Sequence, residues 1–336
     1  MTASPIRVLI VDDSPTLRAA LRALLACEPS IVVVGEAASG GAAVDLARRL
    51  QPDVITMDVL MPGLDGWAAT AAIMADSPTR IIVLCDTSRS DHAALTFRAI
   101  AAGALEVIAK PTGLGGNDLA TFGKRLVETI RLMAEVPVVG RRRIGHHLAA
   151  PTRADATIVG IVASTGGPPA IVELLRALPS ALGACVVIAQ HISPGFTTGL
   201  ARWIAESTSL AVDIAGTGSA CTPGTVWIAP DAHHVEVAAD GTLRLDHDPD
   251  GFCPSGDRLL VSLATALGPR AAGVVLSGMG ADGTQGLLAI RQAGGTTIAQ
   301  EPSTCVAPGM PEAAIERGAA EWVLSLDEIA RAIGTI

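Results

Sequence analysis

Ser164-Thr165-Gly166-Gly167-Pro168 follows the apolar run 157–163 and precedes a helix-like segment, the context of a nucleophile on a strand-to-helix turn. A serine so placed stands at the edge of a parallel sheet, where N–H groups of the glycine turn and the helix N-terminus can face a developing negative charge. Two further polar groups end apolar runs in the same way: His191 after 184–190, and Asp282 shortly after 271–276. Together they make an acyl-transfer set: the serine attacks, the histidine takes its proton, and the aspartate orients the imidazole and stabilises its charged form. A lone serine here would read as a helix cap, but the doubled glycine leaves the backbone bare beside the hydroxyl. His92, His233, His234 and His247 compete for the base; His191 is preferred because it follows a core strand, whereas His233 and His234 fall in an edge-like stretch. The chain order Ser, His, Asp and the missing first glycine in Val162-Ala163-Ser164-Thr165-Gly166 disfavour a lipase-type hydrolase.

A second chemical constellation lies in the first third of the chain. Asp12 and Asp13, Asp58, Asp86-Thr87-Ser88 and Lys110-Pro111 each follow a β-branched run, so all fall on the carboxyl rim where open α/β sheets bind ligands. Carboxylates that close repel one another unless a divalent cation sits among them, and hard oxygen ligands suit Mg2+. With the metal bound, Asp58 can attack a phosphoryl donor as a carboxylate nucleophile, Lys110 can pair with the product's charge, and a hydroxyl can contact a phosphoryl oxygen. Each acid alone would read as a helix cap; their joint occurrence with Asp58-x-x-Met61-Pro62-Gly63-x-Asp65-Gly66 argues otherwise.

The elements that must position these groups are legible as periodicity. Strands are expected at 7–11, 31–35, 54–57, 81–85 and 105–109, alternating with helical stripes such as Leu17, Leu21, Leu24 and Leu25, which predicts a doubly wound, five-stranded parallel sheet. Residues 134–154, with three arginines, glycines and prolines, read as a hinge between domains at 1–133 and 155–336. The second domain is again α/β with a mostly parallel sheet, strands falling at 157–163, 185–189, 273–276 and 296–299. Between them, 211–214, 226–229, 234–237 and 243–245 read as an antiparallel insertion.

Composition agrees. A chain of 336 residues exceeds the usual single core, and 49% hydrophobic residues with only 2% aromatics and no tyrosine mean a core of Ala, Val, Leu and Ile. The net charge of -9 opposes binding to nucleic acid or anionic lipid. Six cysteines without a C-x-x-C pair suit free thiols in a reducing cytoplasm. No signal peptide is expected, and no apolar run approaches the roughly 18 residues that a bilayer requires.

On these motifs residues 1–133 resemble a response-regulator receiver domain, which implies phosphorylation of Asp58 by a histidine kinase, Mg2+ held by Asp12, Asp13 and Asp58, and Lys110 on the phosphoryl group. The hydroxyl contact is open among positions 86–88, with Thr87 favoured, and Val107 stands where receivers usually carry an aromatic. From 155 onward the chain resembles the catalytic domain of the CheB family of chemotaxis protein-glutamate methylesterases. The carrying motifs are Ala163-Ser164-Thr165-Gly166-Gly167-Pro168, Gln190-His191, Gly195-Phe196-Thr197, Ile228-Ala229-Pro230, Leu276-Ser277-Gly278-Met279-Gly280, Asp282-Gly283 and Gly309-Met310-Pro311. The resemblance implies a triad of Ser164, His191 and Asp282, Thr165 supporting the histidine, and the Met279 N–H helping to hold the oxyanion. It further implies hydrolysis of glutamyl methyl esters on methyl-accepting chemotaxis receptors, with deamidation of receptor glutamines, under control of the receiver. Departures are Val162 where glycine is usual, Ser277 for threonine, and Gly256 and Arg258 around Asp257. The competing readings are a receiver-controlled hydrolase or amidase acting on another protein and a response regulator whose second domain only binds a partner. The intact Ser, His and Asp set speaks against the latter.

Overall fold

The computed structural model describes residues 4–86, 90–111, 113, 116–135, 157–247 and 253–335, without the side chains of 90–95 and 116–117. Thr87, Ser88, the side chain of His92 and most of the expected hinge lie outside the described residues. The chain divides into two compact units on either side of residues 141 and 142.

In the first unit β1 (Ile6–Val11), β2 (Ile31–Ala37), β3 (Val54–Asp58), β4 (Arg80–Cys85) and β5 (Glu106–Ala109) alternate with α1 (Pro15–Ala26), α2 (Gly40–Leu50), α3 (Gly66–Asp76), α4 (Ser90–Ala101) and α5 (Gly116–Glu135). The sheet is parallel in the order β2-β1-β3-β4-β5. Strand order therefore reverses between β1 and β3, and Asp12 and Asp58 end the two strands that flank the reversal. Crevices at such points are where doubly wound sheets take ligands. The first three helices each have a side-chain cap: Ser14, Ser39 and Asp65 accept the N–H of Leu17, Ala42 and Ala68.

The second unit is built on seven parallel strands in the order β14-β13-β12-β6-β7-β9-β8. These are β6 (Ile158–Ala163), β7 (Cys185–Gln190), β8 (Ala211–Ile214), β9 (Thr225–Ile228), β12 (Ala271–Val275), β13 (Thr296–Gln300) and β14 (Trp322–Leu324). Its helices are α6 (Gly167–Arg176), α7 (Thr197–Ser207), α8 (Gly256–Leu267), α9 (Thr284–Gln292), α10 (Gly309–Glu316) and α11 (Leu326–Gly334). All residues of β6, β7, β12 and β13 are buried, as a sheet covered on both faces requires. The expected antiparallel insertion is only half right. β8 and β9 pair parallel and extend the main sheet, while only β10 (His234–Val237) and β11 (Leu243–Asp246) form an antiparallel ribbon. Alternating exposure along β8 is the mark of an edge strand in either direction, so the pattern alone did not fix the sense of pairing. Among the described residues no helix is long and apolar enough to cross a membrane.

Two of the sequence departures meet in space. A Cβ on Gly256, the first residue of α8, would lie 2.1 Å from Cγ1 and 2.8 Å from Cγ2 of Val162. Val162 on β6 thus fills the volume that a bare Gly256 leaves, and the two positions are packed as a pair. Gly256→Ala is expected to destabilise the second unit by about 1–3 kcal/mol through overpacking, and to cost at least about 1 kcal/mol less in a Val162→Ala background. Urea unfolding of the four proteins checks this; additive losses would mean that the sites are uncoupled.

Candidate active site

Three adjacent parallel strands, β12-β6-β7, deliver the three sequence-identified groups to one rim. Ala163 pairs with Gln190, so Ser164 and His191 leave neighbouring strands side by side, and the His191 N–H bonds the Ala163 carbonyl at 2.9 Å. On the other flank the Ser164 N–H donates to the Ser277 carbonyl at 3.0 Å, just past β12. Gly166, with φ of +74°, turns the chain into α6, and a Cβ there would meet Val306 Cβ at 2.4 Å. Glycine is the residue that tolerates both conditions.

His191 Nε2 lies 2.8 Å from Asp282 Oδ2, with side-chain exposures of 14% and 12%. Oδ2 also accepts the Gly256 N–H at 2.6 Å, while Oδ1 accepts the Asp257 N–H at 2.9 Å and the Ser255 hydroxyl at 3.3 Å. Burial pushes the Asp282 carboxyl up, but the His191 contact and the Gly256 and Asp257 N–H groups outweigh it and hold Asp282 below the ordinary carboxylate range. The aspartate is therefore an anion at neutral pH, and Nε2, facing a carboxylate, carries a proton. In a neutral imidazole the lone pair then sits on Nδ1.

The sequence marks the segment around Gly256 and Asp257 only as a departure from the family pattern and gives no sign that it holds Asp282. Ser255 caps α8 through its bond to the Arg258 N–H, and Ser255-x-Asp257 before an apolar stripe is a recognisable helix start. Nothing local, however, says that the same helix end embraces a carboxylate 25 to 27 residues away. Asp257 reciprocates by accepting the Gly286 N–H at 2.8 Å. Burial, helped by the Asp282 charge, raises the Asp257 carboxyl, against the N–H groups of Gly286, Gln285 and Gly283.

Thr165 is buried, and its carbonyl accepts the Ser277 hydroxyl at 2.8 Å. Ser277, in place of threonine, also accepts the Ala307 N–H at 3.0 Å, and its own N–H reaches Gln300 Oε1 at 2.8 Å. This network sets the 277–280 loop against the serine: a Cβ on Gly278 would be 2.8 Å from Ser164 Cβ. Met279, the next residue, is half-buried in that loop. Of the competing histidines, His234 is buried and accepts the Ser255 N–H at 2.9 Å through Nδ1, while the Nδ1 atoms of His233 and His247 lie against backbone carbonyls.

In the first unit Lys110 Nζ lies 2.8 Å from Asp12 Oδ2 and 2.7 Å from Asp58 Oδ1. Oxygens of Asp12, Asp13 and Asp58 all lie within 4.8 Å of one another. Burial raises the Asp58 carboxyl against the pull of Lys110 and the Leu60 N–H. An all-oxygen donor set with crowded negative charge fits a hard divalent cation such as Mg2+. Asp86 is exposed and Val107 buried.

Residues 159–333 match the CheB methylesterase family, and residues 8–116 match the response regulator receiver domain. The chain belongs to the CheB methylesterase family. It is 51% identical over 313 residues to protein-glutamate methylesterase/protein-glutamine glutaminase 3 of Myxococcus xanthus, covering 93% of this chain and 88% of that one. The enzyme of the same name in Anaeromyxobacter dehalogenans is 43% identical, with 97% of each chain covered. The CheB methylesterase catalytic domain of Thermotoga maritima superposes with a TM-score of 0.51 at 36% identity, covering 53% of this chain and 97% of that domain. The second unit of this CheB-family chain thus has the family's fold, and the first is a receiver.

The Asp282 environment sets a pH dependence. Asp282→Asn offers one acceptor oxygen where two are in use, and should cost the second unit about 1–3 kcal/mol at pH 7. The folded carboxyl is depressed, so its stabilisation is present above its unfolded value of about 3.9 and is lost as pH falls through the folded value. Urea unfolding at acid pH should therefore show the gap between wild type and variant closing as pH falls below about 4. A gap that widens below about pH 4 would contradict this.

Proposed function

We propose that this chain is a receptor methylesterase and glutaminase switched by phosphorylation, with its receiver at 1–133, a linker at 134–154 and the hydrolase at 155–336. The observation that carries the reading is the His191 Nε2 to Asp282 Oδ2 contact of 2.8 Å on the rim that also bears Ser164. Ser164 Oγ attacks the δ-carbonyl carbon of a glutamyl methyl ester on a methyl-accepting chemotaxis receptor while His191 Nδ1 takes its proton. Asp282 stabilises the imidazolium so formed. Negative charge gathers on the former carbonyl oxygen, where the Met279 N–H serves as a donor, and Thr165 supports the histidine. Collapse expels methanol, which takes the proton from Nδ1. Water, deprotonated by the same nitrogen, then cleaves the acyl-serine to give glutamate and restore the hydroxyl. With a glutamine substrate the leaving group is ammonia, through the same two steps.

In the receiver, Asp58 accepts a phosphoryl group from a histidine kinase of the chemotaxis pathway, and Lys110 and Thr87 bind the phosphoryl oxygens. Asp12, Asp13 and Asp58 would hold Mg2+, which neutralises crowded negative charge when bound. Fully ionised, these three carboxylates outnumber the one lysine facing them, which supports the cation. The cytoplasm, where receptor signalling domains and kinase meet, is the compartment.

Methanol release from methylated receptor membranes tests the reading. Ser164→Ala should lose at least about 10³-fold, and treatment with Mg2+ and a small phosphodonor should raise the wild-type rate but not that of Asp58→Ala. Near-wild-type release by Ser164→Ala would overturn the nucleophile assignment.

A further inference from the structure

Gln190, the last residue of β7, immediately precedes His191 and is 3% exposed. Its side-chain Nε2 donates twice, to the Ser164 carbonyl at 2.9 Å and to the His191 carbonyl at 2.8 Å. One amide nitrogen therefore ties together the backbones of the proposed nucleophile and the proposed base. It does so where the sheet no longer can. The β6-β7 register ends at Ala163 and Gln190, after which one chain turns into α6 and the other into the loop before α7. Past the His191 N–H bond to Ala163, Gln190 supplies a further cross-strand link.

The other half of the amide is the informative part. Gln190 Oε1 is buried with no hydrogen-bond partner, a state shared among the described residues only by the Thr56 and Thr284 hydroxyls. It is pressed so close to Gly167 that a Cβ there would be 2.3 Å away. A buried polar atom left unpaired is unfavourable and calls for a reason. The chemistry of the side chain provides one: two N–H donors on one neutral nitrogen come only with an amide oxygen attached, and the charged alternatives, Lys and Arg, would have to be buried uncompensated.

We infer that Gln190 is a positioning residue, holding Ser164 and His191 at a fixed separation through their backbones. The inference rests on the Ser164 and His191 roles proposed above. The Gln190 amide bonds backbone carbonyls rather than the Ser164 hydroxyl or the His191 ring, so its removal should affect turnover while leaving binding and folding largely intact.

The test uses the full-length protein with Gln190→Met, close in shape but without donors, and Gln190→Asn, which keeps the amide but withdraws it by one methylene. Turnover on methylated receptor membranes should fall about 10- to 100-fold in both, as expected for a small displacement of reacting groups, with KM within about twofold. Labelling of Ser164 by a small fluorophosphonate should slow in parallel, while Tm stays within a few degrees of wild type. In a Ser164→Ala background, adding Gln190→Met should leave the residual rate unchanged, because the two then act through the same lost step. Wild-type turnover in Gln190→Met, or a variant that fails to fold, would overturn the inference and make Gln190 a packing or folding residue. Active Ser164→Ala would instead sink the underlying functional reading, so the two failures are distinguishable.

Discussion

Asp282 and Asp257 exchange helix ends. Asp282, two residues before α9, takes the first N–H groups of α8, while Asp257, within α8, takes N–H groups at the start of α9. Helix N-termini present unpaired donors and a positive dipole end, so each carboxylate meets a need of the other's helix. The exchange is close: a Cβ on Gly286 would be 2.4 Å from Leu260 Cβ. Because the Asp282 anion is satisfied by backbone, its position does not depend on a flexible side chain, and the remaining edge of Oδ2 is turned to His191 Nε2. The orientation of the His191 ring, and with it the tautomer that faces Asp282, follows from how two helices meet.

Both units place their chemistry where parallel sheets make room for it. Asp12 and Asp58 flank the reversal of strand order in the first sheet, and Ser164 and the Asp282 loop flank the corresponding reversal between β6 and β12 in the second. The two sites solve opposite electrostatic problems. In the receiver, burial raises the Asp58 carboxyl and leaves crowded acids that favour a cation. In the hydrolase, the His191 contact and the Gly256 and Asp257 N–H groups outweigh burial and hold the Asp282 carboxyl below its ordinary range.

What the sequence made legible was the rim. A polar residue directly after a β-branched run is a local signal, and it located Ser164, His191, Asp12 and Asp58 without reference to any partner. What it hid was long-range. The Ser255–Asp257 segment looks like any helix start, and its bond to Asp282 exists only once α8 and α9 pack. Gln190 reads as the polar end of a strand, and its double contact needs the turn at Gly166 to bring the Ser164 carbonyl around. Val162 and Gly256 looked like two unrelated departures because their shared volume spans 94 positions of sequence, the difference between 256 and 162. β8 and β9 were assigned the wrong sense because edge alternation carries no direction.

The Asp282 contact should fix the proton of the resting His191 on Nε2, which the proposed mechanism requires for Nδ1 to act as base. Nitrogen-resolved NMR of the His191 imidazole in the unphosphorylated full-length protein at neutral pH measures this directly. The expected result is a protonated Nε2 and an unprotonated Nδ1 in the neutral form of the ring, with that tautomer preference lost in Asp282→Asn. A resting ring with its proton on Nδ1 would contradict it.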